Sequence, residues 1–135
     1  MTNQNQHFNN VIIASGPVII RENKVLLSKR DENKPWMFPG GDITQPVGDL
    51  EFWAAKKAKE EMGLEIKIVK PIKPMVLWLE DQVVVLVHYL AELLNDEFEL
   101  SQETKQYIWM DIDNLAEDCA PNVKPVIEEY KKLKN

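Results

Sequence analysis

Two short stretches of this chain hold residue types that can do chemistry together. Glu60 and Glu61 stand side by side, followed by Met62-Gly63-Leu64, and Pro39-Gly40-Gly41 lies upstream of them. Neighbouring carboxylates on one helix face repel each other unless a cation compensates, and Mg²⁺ or Mn²⁺ prefers carboxylate and phosphate oxygens to nitrogen or sulfur. Glycines let a backbone carbonyl turn toward the same ion. The pattern therefore suggests a metal held by the two glutamates and a loop carbonyl, with a bridging phosphate against it while water attacks phosphorus. Taken separately the pieces are weak. A Glu-Glu pair is commonly a solvated helix face, and Gly-Gly after Pro is commonly a turn. Their combination in this order is what carries specificity.

The acids need a helix and the glycines a rigid loop. At 100° per residue Ala54, Ala55, Ala58 and Met62 share one face and Lys57, Glu60 and Glu61 the next, which predicts an amphipathic helix from Asp49 to Met62. Asp49 is a natural N-cap and Gly63 a natural C′ residue. The loop Lys34 to Gly41, KPWMFPGG, is dense in Pro and Gly, and its Trp, Met and Phe call for an ordered turn. β-branched runs predict strands over Val11 to Ser15, Pro17 to Arg21 and Lys24 to Lys29, the last two forming a hairpin across Glu22 and Asn23. Further strands are expected over Ile66 to Val69, Met75 to Glu80, Val83 to Leu93 and Lys105 to Met110, and a closing helix over Pro125 to Leu133.

Composition bounds the rest. The chain has 135 residues, a net charge of -6, 44% hydrophobic residues and a single cysteine. That is one domain's worth of sequence, with core enough to fold without staples. Cys119 has no internal disulfide partner, and His7 and His88 lie too far from it in sequence to read as a zinc cluster. A cytoplasmic setting is the plain expectation. No apolar run reaches the roughly 20 residues of a membrane helix, so no membrane partner is expected. The acidic balance argues against a nucleic-acid polymer. Residues 1–10, rich in Asn and Gln, are expected to be a flexible N-terminal tail rather than a secretory signal, with 11–135 as one domain.

The stretch Gly40 to Leu64, read with Leu26-Leu27-Ser28-Lys29-Arg30 and Trp36-Met37-Phe38-Pro39, resembles the MutT-like Nudix hydrolase family. That family's box runs Gly, five residues, Glu, seven residues, Arg-Glu, an aliphatic, any residue, Glu-Glu, any residue, Gly, aliphatic. Its end matches as Glu60-Glu61-Met62-Gly63-Leu64, and the segment Glu103 to Leu115 resembles the family's acidic loop and the strand after it. The resemblance implies an α/β/α sandwich around a mixed β-sheet. It also implies metal-dependent hydrolysis of a pyrophosphate bond in a nucleoside diphosphate linked to another group. The implied cofactor is Mg²⁺ or Mn²⁺ and the implied partner a nucleotide-type small molecule; homodimers are common among relatives.

The box is degenerate. The family's Arg-Glu pair falls on Lys56 and Lys57, so an ammonium stands where a metal-binding glutamate is usual, and the box's first glutamate falls near Gly48 or Asp49. Unit charges about 4 Å apart interact by roughly 1 to 4 kcal/mol across effective dielectrics of 80 to 20, so Lys57 opposes a metal nearby. Spaced four residues before Glu61, it can also pair with that carboxylate on a helix. Weaker metal binding, or fewer ions, is the expectation. By resemblance Lys56 would hold or neutralise the glutamates and Glu103 could orient water, with Glu97 and Glu99 as alternates. Arg30 could grip a phosphate bidentately, Gly40 and Gly41 would border it, and Trp36 or Trp78 could stack on a base. His88 reads as a packed strand residue. The rival reading is a Nudix fold that binds nucleotides or a protein without turnover, with Lys57 as its main support.

Overall fold

The computed structural model describes residues 10–44 and 48–133; most of the expected tail, with His7, and the centre of the Thr44 to Gly48 loop lie outside the described residues. The elements are β1 (Asn10–Arg21), β2 (Lys24–Lys29), β3 (Gly41–Asp42), α1 (Leu50–Met62), β4 (Ile66–Pro71), β5 (Met75–Trp78), β6 (Gln82–Leu93), β7 (Gln106–Asp111) and α2 (Val123–Leu133). The two runs expected on either side of Gly16 are one continuous strand. Extended backbone suits glycine and proline when a neighbouring chain must come close. Here the Pro39-Gly40 backbone comes so near that a Cβ on Gly16 would stand 2.0 Å from the Pro39 carbonyl oxygen.

Among the described residues the sheet has the order β4-β6-β1-β2-β7, with β3 paired to β1 and β5 to β6. β1 and β6 run parallel and the other pairings are antiparallel, so the sheet is mixed. Glu22 and Asn23 take positive φ in the β1–β2 hairpin, the twist that tight hairpins need.

Alternation along the strands sends neighbouring residues to opposite faces. On one face Ile19, Leu26 and Ala91 pack with Ala58, Met62 and Leu64 beneath α1. On the other, Val18, Val25 and Leu27 pack with Val123, Val126, Ile127 and Tyr130 of α2. The result is an α/β/α sandwich. α1 buries Trp53, Ala54, Ala58 and Met62; Trp53 joins the inward stripe, while Ala55 is only half-buried. Asp49 caps the helix by accepting the Phe52 N–H at 2.7 Å, and Gly63 ends it in the left-handed region at φ 67°.

One face of the sheet continues past the start of α1 with apolar side chains in view. Trp78, Val83 and Val11 are cross-strand neighbours, as are Val76, Val85 and Ile13, and Val11, Ile13, Val76 and Trp78 are exposed. The opposite face of the same strands carries Leu77, Val84, Leu86 and Ala14 into an internal pocket.

Candidate active site

The site is built where three segments meet. The first is the last two turns of α1, which bring Lys57, Glu60 and Glu61 to one side. The second is the turn into β3. Gly40 has φ 128°, and a Cβ there would lie 2.4 Å from the Ser15 carbonyl oxygen and 2.6 Å from the Gly16 Cα. Only glycine fits, and the tight approach aims the Gly40 N–H at Glu61 Oε1, 3.0 Å away. The third is the loop before β7. Ser101 N–H donates to the Glu61 carbonyl at 2.8 Å and Lys105 N–H to the Lys29 carbonyl at 2.8 Å. Those two bonds hang the loop between the end of α1 and the end of β2, and so carry Glu103 to the acids and to Arg30.

These segments enclose a polar cavity of about 330 Å³ lined by Arg30, Gly41, Asp42, Lys57, Glu60, Glu61 and Glu103 together with Thr44, Ser101 and Thr104. At Gly41 three side chains of the cavity converge. A Cβ placed there would stand 3.7 Å from Glu61 Oε2, 3.8 Å from Lys57 Cδ and 3.9 Å from Arg30 Nη2. Arg30 donates to Glu61 Oε2 at 3.3 Å. A second cavity of about 500 Å³, mostly apolar, adjoins the first through Arg30, Gly41 and Asp42, which line both; Phe38, Leu77, Leu86, His88 and Asn122 are among its walls.

The two glutamates are held differently. Only 17% of the Glu61 side chain is exposed, and burial pushes its carboxyl above the ordinary value against the opposing pull of the Gly40 N–H, Arg30 and Lys57. Glu60 is exposed and ion-paired to Lys56 one turn earlier, which holds its carboxyl below the ordinary value. The Lys-Glu pair on this helix is therefore Lys56 with Glu60. The pairing expected between Lys57 and Glu61 does not form, because Arg30 and Gly40 already occupy both Glu61 oxygens. Among the described residues Lys57 makes no ion pair, and its ammonium lies 5.9 Å from the centre of the Trp53 ring.

The residues singled out in the sequence are thus partly assembled. Glu60, Glu61, Arg30, Gly41 and Glu103 share the polar cavity, and Gly40 borders the apolar one. Lys56 reaches the cavity only through Glu60. Trp36 lines neither cavity. It packs against the α2-side core, with the Lys29 ammonium 4.9 Å over its ring, because its backbone is pinned to Asp118 and Ala120 at 3.0 and 2.7 Å. Trp78 belongs to the exposed face, away from both cavities. Glu99 lies against Gly63 instead, and neither it nor Glu97 lines the polar cavity.

Strand periodicity gave His88 no role beyond packing, yet it faces the apolar cavity, 5% exposed, with its ring 4.9 Å from that of Phe38. Burial pushes its pKa down to about 4, so the imidazole is neutral at pH 7. Asp42 and Asn122 were also beyond what spacing could reveal, whereas Lys57 lines the polar cavity on the helix face it shares with Glu60 and Glu61.

Among the described residues no three His, Cys, Asp or Glu side chains are placed to hold a metal by themselves. Glu60 and Glu61 both line the cavity, and carboxylate oxygens are the donor type of Mg²⁺, which usually keeps waters and completes its octahedron with substrate phosphates.

A family profile for the NUDIX domain matches residues 12–130. Solved structures that resemble the fold include the MutT protein from Methanosarcina mazei Go1 (21% identity, 93% of this chain and 96% of that one, TM-score 0.80). A C. elegans Ap4A hydrolase is similar at 19% identity over 91% and 97% of the two chains, TM-score 0.77. An ADP-ribose pyrophosphatase from Streptococcus suis is similar at 22% identity over 89% and 87%, TM-score 0.66. No curated protein matches in sequence. The chain belongs to the NUDIX family, a class of pyrophosphohydrolases. Hydrolases of this family generally use divalent metals.

Proposed function

We propose that this chain hydrolyses the pyrophosphate bond of a nucleoside diphosphate linked to another group. The observation that carries the reading is the junction of two unlike cavities: a polar one with Glu60, Glu61, Arg30 and Glu103, and an apolar one beside it that shares Arg30, Gly41 and Asp42. A ligand with an uncharged organic part and a diphosphate fits that pair, its apolar part against Phe38, Leu77 and Leu86 and its phosphates at Gly41. The family's activities on nucleotide-type molecules, named in the Ap4A hydrolase and the ADP-ribose pyrophosphatase, agree with it.

Glu61, Glu60 and the Gly41 carbonyl would hold Mg²⁺ or Mn²⁺, which supplies charge neutralisation at the phosphates. Arg30 donates to phosphate oxygens from the cavity wall, a charge-assisted bond stronger than a neutral one. Gly40 keeps the Glu61 carboxylate fixed, so little reorganisation is needed as charge shifts onto the phosphate oxygens. Glu103, kept on the cavity wall by its loop's bonds to Glu61 and Lys29, accepts a proton from the attacking water. Lys56 restrains Glu60.

The test is product release from a panel of nucleoside diphosphate derivatives with Mg²⁺ or Mn²⁺. Turnover that falls at least about a hundredfold in Glu61→Gln supports the reading. A second reading, binding without turnover, is favoured by Lys57, which brings positive charge to a metal-binding cavity. Calorimetric binding of a panel member that is never cleaved would establish it and remove the first.

A further inference from the structure

The polar cavity presents four carboxylates, Asp42, Glu60, Glu61 and Glu103, and two cations, Arg30 and Lys57. Its formal charge is therefore two negative, the amount that one divalent ion balances. A glutamate at position 57 would leave it four negative, the amount that two such ions balance. The difference made by this one residue equals the charge of one metal ion.

Position decides whether that equality has chemical content. The Lys57 stem reaches Gly41, its Cδ 3.8 Å from a Cβ placed there beside Glu61 Oε2 and Arg30 Nη2, and its ammonium lies 5.9 Å from the centre of the Trp53 ring. It is half-buried on the cavity side of α1, and among the described residues no carboxylate pairs with it. Glu61 is already engaged by Arg30 and Gly40, and Glu60 by Lys56. An ammonium on the wall of the polar cavity that makes no ion pair among the described residues, and acts on Glu60 and Glu61 only through space, is a ready donor to an anion's oxygens, with three N–H groups that turn to suit it.

We propose that the Lys57 ammonium takes the place of one divalent cation: the site is completed by a single metal ion, and Lys57 itself bears on the phosphate oxygens of the ligand. This rests on the reading of the cavity as a diphosphate site and deepens it. The cost is charge: a fixed ammonium carries one positive charge where an ion carries two. The gain is that part of the phosphate attraction no longer depends on free metal.

Two measurements test it, neither of which needs turnover. The first counts Mn²⁺ held per chain at saturation, from the loss of the free-ion electron paramagnetic resonance signal. One ion is expected for the wild type and two for Lys57→Glu. Lys59→Glu makes the same charge change on the same helix, outside the cavity, where Lys59 pairs with Glu65 at 3.0 Å; its count is expected to remain one. A wild type holding no ion or two, a Lys57→Glu protein that stays at one, or a Lys59→Glu protein that gains an ion overturns the proposal.

The second is calorimetric binding of inorganic pyrophosphate in EDTA. The wild type is expected to bind, and Lys57→Gln, which removes the charge while keeping much of the stem, to bind roughly tenfold more weakly. Equal affinities, or no binding by the wild type, overturn the phosphate contact. Should Lys57→Glu not fold, Lys57→Gln carries the test through this second measurement. Failure of the hydrolase reading would appear as absent turnover with these results intact, so the two can fail separately.

Discussion

Acid should loosen this fold through a single imidazole. His88 lies on β6 against Phe38 and the apolar cavity, and burial lowers its pKa from 6.5 to about 4. In the unfolded chain the imidazole takes up its proton as pH falls through 6.5; in the fold it refuses until about pH 4. The stability contributed by the neutral folded imidazole is therefore fully present above pH 6.5 and is lost as pH falls from there toward 4. Each tenfold of proton affinity is worth about 1.4 kcal/mol, so the whole difference is about 3 kcal/mol, of which about 2.5 kcal/mol is gone by pH 4.5. For a domain whose total stability is about 5–15 kcal/mol, that is a large share. The assay is urea unfolding followed by tryptophan fluorescence at several pH values between about 7.5 and 4.5, on the wild type and on His88→Gln. Carboxylates also take up protons as pH falls, Glu61 earlier because burial raises its pKa and Glu60 later because Lys56 lowers its own. The comparison of the two proteins cancels them. His88→Gln should be the less stable protein near neutrality and close most of the gap by pH 4.5. A stability difference that stays constant across the range would refute the reasoning.

Three other perturbations follow from the same geometry. Gly40→Ala should destabilise by about 3 kcal/mol or more, since the residue has positive φ and its Cβ would overlap Ser15 and Gly16; urea unfolding measures this, and pyrophosphate affinity should fall with it because the Gly40 N–H no longer meets Glu61. Asp49→Ala removes the cap from α1 and should cost about 1 kcal/mol, read as a lower melting temperature. Lys56→Ala should change stability by less than about 1 kcal/mol, because its pair with Glu60 is solvent-exposed, while the Glu60 carboxyl titrates closer to its ordinary value in a carboxylate-resolved NMR titration.

How much was legible differs between the helix and the cavities. α1 announced itself through an acid at its N-cap, a glycine at its end and apolar residues at helical spacing, and all three act as local physics requires. The neighbouring face that brings Lys57, Glu60 and Glu61 together could be read the same way, since residues three and four apart on a helix share a side. Trp36 lines neither cavity for an instructive reason. Its neighbours in the chain are site residues, but a bridge to Cys119 and hydrogen bonds to Asp118 and Ala120 turn it into the core, and no local pattern records that pairing. The exposed apolar strip on Val11, Ile13, Val76 and Trp78 comes from two strands set on either side of a third, so no single segment displays it.

Local order therefore settles which residues share a helix face, where that helix begins and ends, and that a glycine-rich turn precedes it, because these depend on contacts a few residues apart. The pairing of Glu61 with Arg30 and Gly40, the delivery of Glu103, the placing of neutral His88 in the apolar cavity and, among the described residues, the lack of an ion pair at Lys57 were fixed by the folded chain. Each depends on strands and loops distant in sequence being brought within a few ångströms, where burial and competition for the same carboxylate oxygens decide which charges are satisfied and which are left to meet a ligand.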